Sequence, residues 1–280
     1  MARARESVGE EALGFVKGFR YLMQDKRRGT MGGEGFVEGV RWCAGEGYVF
    51  ELGVDGTEGG GSGNGGEGEG EGRGGGLWQL EEAVRFLGRV YAGLRGGSGE
   101  GVVVVIGMWI CVSVLVCGWG WDGMGVDGAF AVGVDHMCKP DMRSDDADPE
   151  TRHAMFSEWE ERIKQFARFP NTYMKLSGAF SQIAPLPSHD DARPWSVTPE
   201  LRAAKSRIAP WVAAVFRAFG PERIMFGSDW PVCNLGRGGG KVAWRNWRWV
   251  VEDVVRDLCL SEGEKRAVWA GTAARAYSLS

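Results

Sequence analysis

The sequence predicts an α/β fold built on a parallel sheet, and three observations predict it. Short β-branched or aromatic runs alternate with longer segments whose apolar residues recur every three or four positions. Two helix-type segments end at breakers and hand over directly to the next strand, at Pro170 before Thr172–Leu176 and at Gly220-Pro221 before Arg223–Phe226. Finally, 280 residues at 30.5 kDa are enough for one large core without disulfide or metal support.

In chain order, Phe15–Gln24 reads as a strand, Phe36–Ala44 as a helix and Tyr48–Leu52 (YVFEL) as a second strand. From Leu77 a helix is set by Leu80, Val84, Leu87, Val90, Tyr91 and Leu94, with Glu81, Glu82, Arg85 and Arg89 on the face expected to meet water. Val102–Ile106 is a buried-type strand, and His153–Phe169 a helix ahead of the strand Thr172–Leu176. After a proline-rich loop, Ile208–Phe219 is helical, Arg223–Phe226 is the last strand, and helices near Val242–Cys259 and Glu262–Tyr277 close the chain. Helices alone follow that strand. A closed cylinder of eight strand–helix units therefore needs about three more strands, placed before residue 14.

Charge excludes one class of partner. A formal net charge of −4, from 33 basic and 37 acidic side chains, leaves no broad cationic footprint for nucleic acid. The six cysteines form no C-x-x-C pair and the N-terminus lacks the apolar run of a signal peptide, so a reducing cytoplasm is expected. Val102–Cys117 is apolar but shorter than the ~20 residues of a spanning helix, which argues against a membrane protein.

Glycine is the anomaly, at 46 residues. The Gly56–Gly76 segment is nearly all glycine and polar residues, has nothing to offset the entropy of ordering, and is expected as a disordered loop. Gly107–Gly133 mixes apolar residues with repeated Gly-Trp and has neither helical nor strand period. Codon degeneracy at Gly107-Met108-Trp109 and Ala131-Val132 accommodates the two ends of an in-frame intron, so this segment is expected to be an anomalous insert; a cDNA read across it decides. The expected domain is 9–280, interrupted by 56–76 and 107–133.

In parallel α/β folds, reactive groups collect just past the carboxyl ends of strands. Asp229, in Gly227-Ser228-Asp229-Trp230-Pro231, is placed to bind a metal or take a proton from water, or else to cap a turn; Trp230 adds an aromatic wall. His136 follows Val134-Asp135 as a ligand, a proton carrier or a structural histidine. Of the other two histidines, His153 begins a helix and His189 lies in a polar loop. Lys175 in Tyr173–Gly178 suits an anionic group or a structural role, and Arg20 and Gln24 are candidate carboxylate or hydroxyl binders. Phosphate-loop, nucleophile-elbow and zinc-protease signatures are missing from the sequence. Trp244, Trp247 and Trp249 fall at helical spacing and are expected as a packing face.

Taken together in order, GFRYLMQDK, GYVFELGVD, LWQLEEAV, VDHMCKPD, TYMKLSGAFSQ, FGPERIMFGSDWPVCN and AVWAGTAARAY resemble the amidohydrolase superfamily, in its branch of sugar-lactone and pyrone-dicarboxylate lactonases. The resemblance implies a (β/α)8 TIM barrel, here incomplete and lacking its first strands, that hydrolyses a cyclic ester of a small-molecule substrate. It implies Asp229 and His136 as catalytic residues and ligands of a divalent metal, zinc above all, and Arg20 as a substrate contact; Gln24, Lys175 and Trp230 are further candidates for substrate contact by residue type. Some similar lactonases need no metal. The H-x-H pair of the family's first strand is absent from this sequence, so a metal would keep only His136 and Asp229. Two alternatives stand beside the lactonase, a non-catalytic barrel remnant that binds or assembles, and a metal-dependent decarboxylase of an aromatic carboxylate.

Overall fold

The computed structural model describes residues 16–23, 26–57, 76–94, 132–142, 148–183, 185–187, 194–229, 233 and 242–279. Five strands, β1 (Gly18–Leu22), β2 (Val49–Gly53), β3 (Val132–Val134), β4 (Thr172–Leu176) and β5 (Ile224–Phe226), form one sheet in sequential order, and every pairing is parallel. The described helices are α1 (Glu34–Gly45), α2 (Leu77–Leu94), α3 (Pro149–Ala167), α4 (Pro199–Phe219), α5 (Ala243–Asp257), α6 (Glu262–Arg266) and α7 (Thr272–Ala276). A wider π turn, Ala267–Gly271, joins the last two, so the single helix expected over Glu262–Tyr277 is in three pieces.

Alternation in β4 sets the layers. Thr172, Met174 and Leu176 are fully buried, while Tyr173 and Lys175 between them are half-buried, as a period of two requires. The core joins these strand residues to Leu80, Phe86, Leu87 and Val90 of α2, Trp159, Ile163 and Phe166 of α3, and Trp247 and Val250 of α5. Glu82, expected on the solvent face of α2, is instead buried, because its carboxylate accepts from the backbone of Gly29 and Met31 at 2.9 and 2.7 Å. Trp247 packs in the core as expected of that cluster, whereas Trp244 stays exposed.

Two helices begin earlier than their apolar periodicity suggests, for the same reason. Asp148 accepts from the backbone of Glu150 and Thr151 with Pro149 behind it, and Thr198 accepts from Leu201 with Pro199 behind it. Pro210 lies inside α4 on its exposed face.

Strand β3 begins at Val132, inside the segment expected as an insert, and it feeds directly into Asp135. Residues 107–131 and the expected strand Val102–Ile106 lie outside the described residues. Gly56, Thr57 and Gly76, assigned from composition to a disordered loop, are ordered at its two ends. The Gly56 N–H donates to Cys138 O at 3.0 Å and that of Gly76 to Asp55 O at 2.8 Å. Among the described residues no helix is long and apolar enough to cross a membrane.

Candidate active site

Three adjacent strands deliver three side chains to one rim of the sheet. His136 lies two residues past β3, Ser177 one past β4 and Asp229 three past β5, all at carboxyl ends. His136 Nε2 is 3.4 Å from Asp229 Oδ1, and His136 Nδ1 is 2.7 Å from Ser177 Oγ. All three side chains are buried. The Nδ1–Ser177 contact is a hydrogen bond whose direction is set by the ring's tautomer, and the Nε2–Asp229 approach is an ion pair when the ring is protonated. The two residues expected to act together are brought together. Ser177 is the residue that sequence reasoning misses, although its place at the end of a strand in KLSG is an available signal.

The backbone that presents these groups is unusual. Four consecutive residues, His136, Met137, Cys138 and Lys139, hold φ of 52, 54, 58 and 43°, and Asp229 holds 60°. A left-handed conformation costs an L-residue about 1–2 kcal/mol, so the turn needs compensation of several times that. Three of its carbonyls are engaged. That of His136 accepts from the Lys139 N–H at 2.9 Å, that of Met137 from Trp159 Nε1 at 3.0 Å, and that of Cys138 from Gly56 at 3.0 Å. Glycine is required at Gly178, where φ is +70° and a Cβ would lie 2.5 Å from His136 Nδ1.

On the sheet beside this rim lies a second polar group. Arg20 and Glu51 are register partners across β1 and β2 and therefore share a face. Arg20 Nε donates to Glu51 at 2.5 Å, Lys175 Nζ donates to Glu51 at 2.7 Å, and the Tyr277 hydroxyl donates to Glu51 as well. Burial pushes the Glu51 carboxyl up, but the charges of Lys175 and Arg20 and the hydrogen bonds from Lys175 and Tyr277 outweigh it, and the group is lowered to about 2. Glu51 is a second residue hidden from sequence reasoning, its only trace a lone carboxylate in YVFEL. The expected substrate binders Arg20 and Lys175 are thus both held by Glu51, while Gln24 and Trp230 lie outside the described residues.

A pH dependence follows. Glu51 keeps its proton less readily when folded, so it stabilises the fold above the ordinary value near 4.5, and this contribution disappears as pH falls towards about 2. Urea melts between pH 6 and pH 2 are expected to show a steep acid limb that Glu51→Gln flattens while lowering stability at pH 6. An unchanged acid limb in that variant counts against the ion cluster.

Metal fit is decided by donor count. His136 Nε2 and Asp229 Oδ1 are two donors, a catalytic zinc normally takes three from the protein, and no group of three His, Cys, Asp or Glu that could hold an ion occurs among the described residues. The described set does not fit a zinc centre. A calorimetric titration with zinc is expected to give no tight one-to-one isotherm; a tight stoichiometric one would show that further donors join His136 and Asp229. A cavity of about 740 Å³ lies away from these residues, between α3 and α4, floored by Met142, Phe156, Ile183 and Trp211. Burial pushes the Cys43 thiol up to about 11, consistent with an inert core side chain.

Comparison with known proteins gives the family of this chain. The amidohydrolase family model matches residues 132–279, the stretch that carries β3 to β5 and all three rim residues. The chain is 27% identical over 280 residues to an L-rhamnono-γ-lactonase of Scheffersomyces stipitis, covering 99% of this chain and 63% of that protein. It is 35% identical over 147 residues to an L-fucono-1,5-lactonase of Burkholderia multivorans, covering 52% of this chain and 42% of that one. The chain therefore spans less than two thirds of the length of these relatives. A zinc-bound amidohydrolase structure from Burkholderia multivorans superposes with a TM-score of 0.62 at 23% identity, covering 100% of this chain and 69% of its own. A second structure of that protein, with HEPES bound, gives 0.60 at 24% identity, covering 94% of this chain and 65% of its own. These likenesses indicate a TIM-barrel-like fold for the five parallel strands. With its family match extending over more than half its length and through the rim residues, the chain belongs to the amidohydrolase family.

Proposed function

We propose that this chain is a lactonase that opens a sugar lactone, or a related cyclic ester, with water activated at the His136–Asp229 pair. One observation carries the reading: an imidazole and a carboxylate from separate strands meet 3.4 Å apart at the carboxyl rim of a parallel sheet. The names of the relatives supply the substrate class. Asp229 takes a proton from water as the oxygen adds to the ring carbonyl, and His136, held by Ser177, orients Asp229. The proton then passes to the ring oxygen as the carbon–oxygen bond breaks, giving the open hydroxy acid. Arg20 and Lys175 stand on one face of the sheet around Glu51, and their cationic heads suit an anionic or hydroxyl-rich ring; Gln24 and Trp230 complete the proposed substrate contacts.

The sheet is read as part of a (β/α)8 barrel whose first strands are not among the described residues, and those strands would carry any further metal donors. On that reading a divalent cation, zinc in preference, would need donors from those strands beside His136 and Asp229. The spacing of the six cysteines, with no C-x-x-C pair, supports a cytoplasmic location. The second reading is a non-catalytic remnant that binds or assembles. Assay of the purified chain against aldonolactones, with and without chelator, tests both: turnover supports the lactonase, and none in either condition supports the remnant.

A further inference from the structure

The geometry points to Asp55 as a positioning residue for His136, acting through Lys139 and the left-handed turn. Asp55 lies two residues past β2, touches no reacting group and is buried. Its Oδ2 accepts from Lys139 Nζ at 3.2 Å, and Lys139 is the last residue of the turn that begins at His136. Its Oδ1 accepts from the Thr57 N–H at 3.0 Å and from the Thr57 hydroxyl at 2.5 Å. Its own N–H donates to Gln79 Oε1 at 3.0 Å, and Gln79 Nε2 donates to Met23 O at 3.1 Å, so α2 and the residue after β1 fix the backbone that carries this carboxylate. Next to it, Gly56 approaches Cys138 O so closely that a Cβ there would lie 2.8 Å from that oxygen.

The β2 loop therefore grips the turn at two points, a backbone hydrogen bond at Cys138 and a buried ion pair at Lys139. A surface salt bridge would contribute little, but both members here are buried and both carboxylate oxygens are hydrogen-bonded. Removing either charge leaves the other buried and unpaired, and frees the end of a backbone segment that has no preference of its own for this conformation. The ring at the other end of the segment then loses its fixed relation to Ser177 and Asp229. In this way a residue on the β2 loop governs an imidazole delivered by β3.

The kinetic arm of the test rests on the proposed lactonase activity; the spectroscopic arm does not. Asp55→Asn keeps the shape and removes the charge, and Lys139→Gln removes the partner. Each is expected to lower kcat against an aldonolactone about tenfold with KM little changed, and the double variant to lie close to either single. In ¹H–¹⁵N spectra of the histidine rings, the wild type is expected to show one tautomer for His136, and both single variants an averaged pattern at retained melting cooperativity. If Asp55→Asn fails to fold, Lys139→Gln and the double variant carry the comparison. Unchanged His136 signals in the folded variants overturn the positioning role. Altered signals in a chain without turnover keep that role and remove the lactonase reading instead.

Discussion

Gly178→Ala is expected to destabilise the protein by about 3 kcal/mol or more and to abolish whatever chemistry His136 performs. Two costs add at this position. A left-handed φ of +70° penalises any side chain, and the new Cβ would stand 2.5 Å from His136 Nδ1, closer than real Cβ contacts come. Relief requires either the ring or the β4 loop to move, and the ring is already fixed by Ser177 on one side and Asp229 on the other. Gly29 provides the control. Its φ and ψ of 92° and −9° are also left-handed, but nothing lies within 4 Å of where a Cβ would stand, so Gly29→Ala bears the conformational cost alone, about 1 kcal/mol, and leaves the site intact. Urea denaturation of the two variants separates the terms; equal losses at both positions would show that the contact with His136 contributes nothing.

Asp229→Asn is expected to leave the fold in place and reduce lactone hydrolysis by about 10²- to 10⁴-fold, the usual contribution of a general base. Asparagine has the same shape and is among the residues that best accept a left-handed backbone, so the φ of 60° at this position is kept. What is lost is the acceptor for the proton of water and the negative charge facing His136 Nε2. Undiminished turnover in a variant with unchanged melting would remove Asp229 from the chemistry.

The parts of this molecule that are legible in sequence are those where one residue type has one physical use. Thr172–Leu176 is readable as a strand to the residue, because Pro170 ends the preceding helix and the alternation that follows is unbroken. Asp229 and His136 are readable as strand-end groups from the runs before them. The starts of α3 and α4 escape a reading by apolar period, because they are set by the Asp148-Pro149 and Thr198-Pro199 pairs that cap them.

Other features have no local signal. Nothing in His-Met-Cys-Lys announces four left-handed residues, since none is glycine; the conformation is imposed by Trp159, Gly56 and Asp55, which are distant in sequence. The buried role of Glu82 likewise depends on the backbone of residues 29–31 reaching it. Arg20 and Lys175 read in sequence as contacts for substrate because their common partner, Glu51, sits 31 and 124 residues away from them. A carboxylate that holds two cations is visible only once β1, β2 and β4 are brought into one sheet.

His136 and Asp229 are expected to work as one unit on one water molecule. Rates of aldonolactone hydrolysis for His136→Asn, Asp229→Asn and the double variant test it most directly. Groups that act together are lost together, so the double variant is predicted to be no slower than the more damaged single. Losses that multiply would mean that the two residues act independently, and would contradict the account.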